Sequence, residues 1–190
     1  MLSYLILLLN PIFSADLKFA AMIIRHGAKC PSEYYDFDED NWKHYETNQL
    51  TDNGKKQHFL LGTELRRRWI TEGNFLSPEY TPEEVSARAS DTERTIQSAQ
   101  SLFKGLFPSE NAVIPDLNFN PLKVDDIQVI SSLDQDIDFS GLKETSNQVQ
   151  IETLPSSEDH MFHGLDICDA ASKIYRLSQE SEVYKETEET

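Results

Sequence analysis

The sequence has few cations, few cysteines and no long hydrophobic run. It holds 17 Lys and Arg against 33 Asp and Glu, and its formal net charge at pH 7 is −16. Nucleic acids and anionic membrane surfaces repel such a chain, so we expect neither as a partner. The two cysteines, Cys30 and Cys168, exclude a disulfide-dense scaffold and a cysteine zinc site, and the sequence leaves their pairing open. Because cations are scarce, any local cluster of them is informative.

The first 15 residues predict a secretory signal peptide. Tyr4–Leu9 form a short apolar segment, and the small residues Ser14 and Ala15 follow near an expected cleavage point. The segment is too short for a membrane-spanning helix, so we expect no stable membrane anchor. No Lys or Arg precedes the segment and no Asn-x-Ser/Thr sequence occurs, so neither feature supports secretion. The alternatives are a first buried strand or a membrane anchor, and the short length disfavours the anchor.

The next apolar run ends abruptly in charged residues. Phe19–Ile24 predict a strand buried on both faces, as in the middle of a parallel sheet, and Gly27 breaks regular structure soon after. Arg25, His26 and Lys29 would then follow the carboxyl end of a central strand, where open α/β sheets bind ligands. Two cations around an imidazole suit an anion, phosphate above all.

A long amphipathic helix is predicted from Thr51 to Gly73. Thr51 or Asp52 can cap its amino end, and its apolar residues recur at helical spacing. Arginines 66–68 lie near its carboxyl end, where cations suit the helix dipole, and we expect them to face solvent. His58, within this helix, is expected to be a packing or surface residue.

A second strand, turn and helix follow in the same order. Val85–Ala87 predict a short strand that ends at Arg88, and Ser90 or Asp91 would cap a helix running to about Leu106. Its buried stripe is expected to comprise Ile96, Ala99, Phe103 and Leu106. Strand, cationic turn and helix thus occur twice, which predicts a βαβ sheet.

The remaining segments give weaker patterns. The aromatic, acidic loop at 32–48 could form a wall of a substrate pocket or a surface loop anchored by its aromatic side chains. Apolar islands at 127–130 and 149–154 could be edge strands or part of an irregular excursion. Ile167–Tyr184 predict a third amphipathic helix, and the acidic last residues are expected to fray.

Three segments resemble signatures of the histidine acid phosphatase family. Residues 25–31 (RHGAKCP) are similar to R-H-G-x-R-x-P, and residues 88–95 (RASDTERT) are similar to R-S-x-D-x-x-R-T. The helix between them, from Leu-Thr-x-x-Gly at 50–54 to Arg-x-Arg-Trp at 66–69, also resembles the family. The segments stand in the family's order and spacing, the resemblance covers about residues 17–108, and it continues faintly through 154–168.

The resemblance implies a phosphoglycerate-mutase-like three-layer α/β sandwich with parallel central strands. Residues 16–190 would be the N-terminal part of a histidine phosphatase domain, incomplete at the C-terminus. The implied activity is an acid phosphatase that hydrolyses phosphate monoesters through a phosphohistidine on His26. Arg25, Lys29 and Arg88 would bind the phosphoryl oxygens, with no metal and no cofactor. The predicted signal peptide implies a secreted, lysosomal or vacuolar location.

Two departures from the family pattern leave alternatives open. Lys29 stands where the signature has an arginine, which keeps the charge but loses the planar bidentate fork. The family's general acid comes from a later His-Asp motif, and no His-Asp dipeptide occurs in this sequence, so the proton donor is unassigned. The alternatives are a catalytically impaired phosphate-binding remnant, or a phytase-like or mutase-like member of the superfamily.

Overall fold

The computed structural model describes residues 17–34, 42, 44–115, 139–143, 149–181 and 184. The predicted signal peptide (1–15), the island at 127–130 and the acidic end after 184 lie outside these residues. The elements, in chain order, are α1 (Asp52–Arg66), a π-helical segment (Arg67–Glu72), β1 (Ala87–Arg88), α2 (Glu93–Leu106), α3 (Ser140–Lys143), β2 (Ile151–Glu152), α4 (Gly164–Ile167) and α5 (Asp169–Gln179).

Helix α1 and the π-helical segment together confirm the long helix predicted from the sequence. The side chain of Thr51 caps α1 by accepting a hydrogen bond from the backbone N–H of Gly54 at 3.1 Å. The π-helical segment continues the helix to Glu72, and Gly73 ends it. Polar capping and helical spacing of apolar residues were therefore sufficient to predict both ends.

The arginines at the end of this helix are ion-paired. Arg67 and Arg68 bind the buried carboxylate of Glu64 at 2.8 and 2.5 Å, and these bonds, first of all the one from Arg67, lower the pKa of Glu64. Arg66 instead donates to backbone carbonyls, those of Pro78 and Leu106. Arg67 is exposed as expected and Arg68 is partly exposed, but the sequence did not predict that both also bind a buried carboxylate one turn earlier.

Helices α1 and α2 pack with their backbones in direct contact. A Cβ atom on Gly62 would lie 1.9 Å from the carbonyl oxygen of Leu102, and one on Gly105 would lie 2.2 Å from that of Phe59. Because the two backbones are so close, small residues are needed at the contact. The buried face of α2 consists of Ser98, Ser101, Leu102, Gly105 and Leu106.

The predicted details of α2 are therefore partly wrong. Leu106 is buried as predicted, whereas Ile96, Ala99 and Phe103 are only partly buried because small residues face α1. The residue before the helix is Thr92 and not Ser90 or Asp91, and its side chain makes no capping bond. The buried apolar cluster between the helices is formed by Leu65, Ile70, Leu102, Leu106 and Phe107.

The two described strands form a parallel sheet. In its register Ala87 pairs with Ile151 and Arg88 with Glu152, and the backbone N–H of Ala89 donates to Glu152 at 2.9 Å. Of the strand predicted over Val85–Ala87, only Ala87 is in β1, which continues through Arg88. Two residues of the apolar island at 149–154 form β2. Parallel strands joined through helices confirm the α/β class.

The buried strand predicted over Phe19–Ile24 is not formed. These residues lie outside any helix or strand, and the side chains of Phe19 and Ile23 are 79% and 82% exposed. A strand buried on both faces needs paired neighbours and covering helices, and within the described residues β1 pairs only with β2.

The carboxyl-terminal helix also carries exposed apolar side chains. The helix predicted over 167–184 corresponds to α5, which is shorter than predicted and follows α4 after Cys168. Neither α4 nor α5 has a buried residue. Ile174 and Leu177 of α5 are more than half exposed. None of the described helices has the length and hydropathy required to cross a membrane.

The contact between α1 and α2 predicts a steric effect at Gly62. Gly62→Ala places a methyl group against the Leu102 carbonyl, so we expect the free energy of unfolding to fall by about 2 kcal/mol or more. Gly164→Ala is the matched control, since no atom lies within 4 Å of its Cβ position, and it should change stability by at most about 0.5 kcal/mol. Urea unfolding measures both, and equal stabilities would contradict the observed packing.

Candidate functional site

The loop that follows Arg25 is held by both long helices. The backbone N–H of Gly27 donates to Ser98 Oγ of α2 at 3.1 Å, and that of Ala28 donates to Gln57 Oε1 of α1 at 2.9 Å. The carbonyl of Ala28 accepts from both the backbone N–H and the hydroxyl of Thr51, each at 2.9 Å. The capping residue of α1 therefore also fixes the position of this loop.

Glycine is required on both sides of the contact between the loop and α1. A Cβ atom on Gly27 would lie 2.3 Å from the carbonyl oxygen of Gly54, and one on Gly54 would lie 2.3 Å from that of Ala28. Any side chain at either position would push the loop away from the first turn of the helix. The glycines of the two resembling motifs thus pack against each other.

The hydrogen bond of His26 fixes its tautomer. Its half-buried ring places Nδ1 2.8 Å from the carbonyl oxygen of Gly27. A carbonyl can only accept, so Nδ1 carries the hydrogen and, in the neutral ring, Nε2 carries the free lone pair. Nε2 is therefore the nitrogen able to act as a nucleophile.

The two cations of this loop differ in their surroundings. Arg25 is exposed, and its side chain has no hydrogen bond or ion pair among the described residues. The ammonium of Lys29 donates to Cys30 O at 3.1 Å, Ser32 Oγ at 3.2 Å and Asn48 Oδ1 at 2.8 Å. Its three N–H groups are engaged, so an anion would have to displace one of these oxygens.

Arg88 ends β1 and pairs with a carboxylate that the sequence did not single out. Its Nη2 lies 2.6 Å from Oδ1 of Asp159, a residue with no exposed surface. Within the part of the chain that is described, no hydrogen bond or ion pair joins Arg88 to residues 25–29. The structure thus gathers Arg25, His26 and Lys29 on one loop and holds Arg88 through a separate partner.

Two cavities border these elements. One, of about 430 Å³, is lined by Arg88 and residues 150–154. The other, of about 150 Å³, is lined by residues 46–50 together with Glu93 and Arg94. The predicted aromatic loop thus contributes its last residues to a small cavity, and His26 lines neither space.

His58 lies beneath the His26 loop. Its side chain is 6% exposed, and its Nδ1 has no partner among the described residues. Burial lowers the pKa of His58 from 6.5 to about 4; the backbone of Arg25 opposes this change and nearby His26 adds to it. His58 is the packing residue that the sequence predicted.

Three residues that support the site were not predicted. Asp159 binds Arg88, Ser98 binds Gly27, and Gln57 binds Ala28. Gln57 and Asp159 lie in segments that resemble the family, which is the only signal that could have found them. Serine at position 98 gives no such signal, because a hydroxyl on a helix is common.

The two cysteines are not paired. Cys30 is buried and Cys168 is exposed, and both are free thiols. Burial raises the pKa of Cys30.

Acid should weaken the fold through His58. The unfolded chain takes up this proton near pH 6.5 and the folded chain only near pH 4, so the stabilising effect of neutral His58 is complete above about pH 6.5 and is lost towards pH 4. We expect His58→Gln to remove about 3 kcal/mol of the decrease in unfolding free energy between pH 7 and pH 4.

Urea unfolding over that pH range measures this decrease. The matched control is His44→Gln, since His44 is exposed. A pH dependence that is the same in wild type and His58→Gln would contradict the burial of His58.

The site can now be compared with known proteins. The testicular acid phosphatase of Mus musculus is 36% identical over 135 residues, which cover 68% of this chain and 31% of that protein. The lysosomal acid phosphatase of Xenopus laevis is 31% identical over 175 residues, which cover 90% of this chain and 34% of that protein. The chain thus spans about a third of the length of the curated relatives it matches.

A solved structure and a family profile complete the comparison. The phytase from Citrobacter braakii aligns with a TM-score of 0.39 and 19% identity, over 47% of this chain and 24% of that chain. The profile of the histidine phosphatase superfamily (branch 2) matches residues 16–187. With this match and the similarity to acid phosphatases, the chain belongs to the histidine phosphatase superfamily.

Proposed function

We propose that the protein is an acid phosphatase that hydrolyses phosphate monoesters through a phosphohistidine on His26. The observation that carries the proposal is the hydrogen bond from His26 Nδ1 to the carbonyl of Gly27, at 2.8 Å. It directs the lone pair of the neutral ring to Nε2 and prevents the ring from rotating. The membership of the superfamily and the similarity to acid phosphatases support the same chemistry.

The reaction would proceed in two displacements at phosphorus. His26 Nε2 attacks, the N–P bond forms, and the ester P–O bond breaks, with the leaving oxygen taking up a proton from solvent. Water then attacks the phosphohistidine, the N–P bond breaks, and inorganic phosphate is released. Covalent catalysis divides one difficult hydrolysis into two easier steps.

The cations would supply the electrostatic stabilisation of both transition states. Arg25 is exposed on the same loop as His26, and Arg88 is partly exposed at the end of β1. Guanidinium groups bind phosphoryl oxygens through two parallel hydrogen bonds. Lys29 would contribute less, because its ammonium is already held by three oxygens.

A second candidate function is phosphate binding without turnover. It is favoured by the unassigned proton donor, since this sequence lacks the His-Asp dipeptide that the family uses. Without a donor, a basic alkoxide leaves slowly, whereas an acidic phenol leaves without help. The two candidates therefore differ in their dependence on the leaving group.

The substrate and the location follow from the same proposal. The substrate would be a small phosphomonoester, with no metal or cofactor required. The predicted signal peptide at 1–15 and the similarity to proteins named lysosomal and prostatic acid phosphatase favour secretion or delivery to a lysosome or vacuole.

The test compares two substrates with the purified 190-residue chain. We expect release of dinitrophenol from 2,4-dinitrophenyl phosphate at about pH 5, where the leaving group needs no proton, and little release of alcohol from an alkyl phosphate. His26→Ala should lower the dinitrophenol rate at least about 100-fold, since the nucleophile is lost.

His44→Ala, which removes an exposed histidine, is the control and should leave the rate unchanged. A wild-type rate in His26→Ala would refute the nucleophile. Phosphate binding with no turnover of either substrate would support the second candidate.

A further inference from the structure

The carboxylate of Asp159 is held rigidly by its own turn. Its Oδ1 accepts hydrogen bonds from the backbone N–H groups of Met161 and Phe162, each at 3.1 Å. The backbone of Asp159 is fixed as well, because its N–H donates to Pro155 and its carbonyl accepts from His163 at 2.9 Å. The Asp159 carboxylate is fully buried, and these hydrogen bonds restrict its position.

The same oxygen fixes one corner of the Arg88 guanidinium. Oδ1 of Asp159 lies 2.6 Å from Nη2, while the ring of Phe162 lies 5.7 Å from the guanidinium carbon. These contacts occupy one nitrogen and one face of the group. The side chain of Arg88 is still 32% exposed and borders the larger cavity, so other N–H groups of the fork can meet an anion.

The free-energy cost of burying an unpaired carboxylate explains why Asp159 and Arg88 stay paired. A buried carboxylate without a cation is costly, and Arg88 is the only cation that contacts Asp159 among the described residues. The backbone of Arg88 is fixed by its pairing with β2, so both ends of the side chain are held. A guanidinium restrained in this way loses less conformational entropy on binding an anion.

We propose that Asp159 is a positioning residue that orients Arg88 for the phosphoryl group. The inference rests on the proposed function, because it assumes that Arg88 binds phosphate. Asp159 itself would not touch the substrate, since it has no exposed surface and does not line the cavity that Arg88 borders.

The direction in which phosphate affinity changes distinguishes an orienting role of Asp159 from a purely electrostatic one. By Coulomb's law alone, removing a carboxylate near an anion site strengthens anion binding. Loss of orientation weakens it, since the fork is no longer aligned. Asp159→Asn keeps the shape and the Oδ1 acceptor, so the bonds from the two backbone N–H groups are retained while the bond from Arg88 becomes a weaker one to a neutral oxygen.

The experiment is a double-mutant cycle on phosphate binding. Calorimetry with inorganic phosphate would be performed on the wild-type chain, Asp159→Asn, Arg88→Lys and the double variant. We expect Asp159→Asn to weaken phosphate binding about five- to tenfold, and to weaken it less than about twofold when Arg88 is already lysine. Asp166→Asn is the control, since Asp166 is an exposed acid in the same segment and should leave the affinity unchanged.

The outcomes distinguish the inference from the proposed function. If the wild-type chain binds no phosphate, or Arg88→Lys binds it as tightly as wild type, the role of Arg88 fails and the inference fails with it. If Arg88→Lys weakens binding while Asp159→Asn leaves it unchanged, tightens it, or weakens it equally in both backgrounds, only the positioning role is overturned. Melting temperatures of all variants identify any loss from unfolding.

Discussion

The backbone contact between the His26 loop and the first turn of α1 is the constraint on which the site depends. Gly27 and Gly54 meet without side chains, and the capping hydroxyl of Thr51 holds the carbonyl of Ala28. A second backbone contact, between Gly62 and Gly105, fixes α2 against α1. Because Ser98 of α2 also binds the loop, the histidine is positioned by both helices.

Buried carboxylates organise the scarce cations of this acidic chain. Glu64 binds Arg67 and Arg68 at the end of the first helix, and Asp159 binds Arg88 at the end of β1. Each buried acid requires a cationic partner, so the pairing constrains both members. Arg25 has no such partner within the described residues, and it is therefore the most available cation beside His26.

Local patterns predicted local structure well. The cap at Thr51, the break at Gly73 and the strand before Arg88 follow from residue chemistry within a few positions. The buried face of α2 was mispredicted because it is set by backbone contact with α1, which no periodicity in one helix reveals. Phe19–Ile24 have a strand-forming composition, but burial of a strand depends on neighbours elsewhere in the chain.

The candidate site likewise combines features that the local sequence predicts with features that only the tertiary structure shows. The motifs placed Arg25, His26 and Lys29 on one loop, which the structure reproduces, and their chemical roles remain predictions. Asp159 lies 71 positions after Arg88, so only the tertiary structure could pair them. The engagement of Lys29 by Asn48 similarly depends on a loop 19 positions away.

Detection of a phosphoryl group on His26 tests the central claim most directly. The chain would be mixed with 2,4-dinitrophenyl phosphate, quenched at alkaline pH, where phosphohistidine survives, and digested for mass spectrometry of the peptide that contains His26. The account predicts one phosphoryl group on Nε2 of His26, absent from His26→Ala. Dinitrophenol release with no modified His26, or a phosphoryl group on another residue, would contradict it.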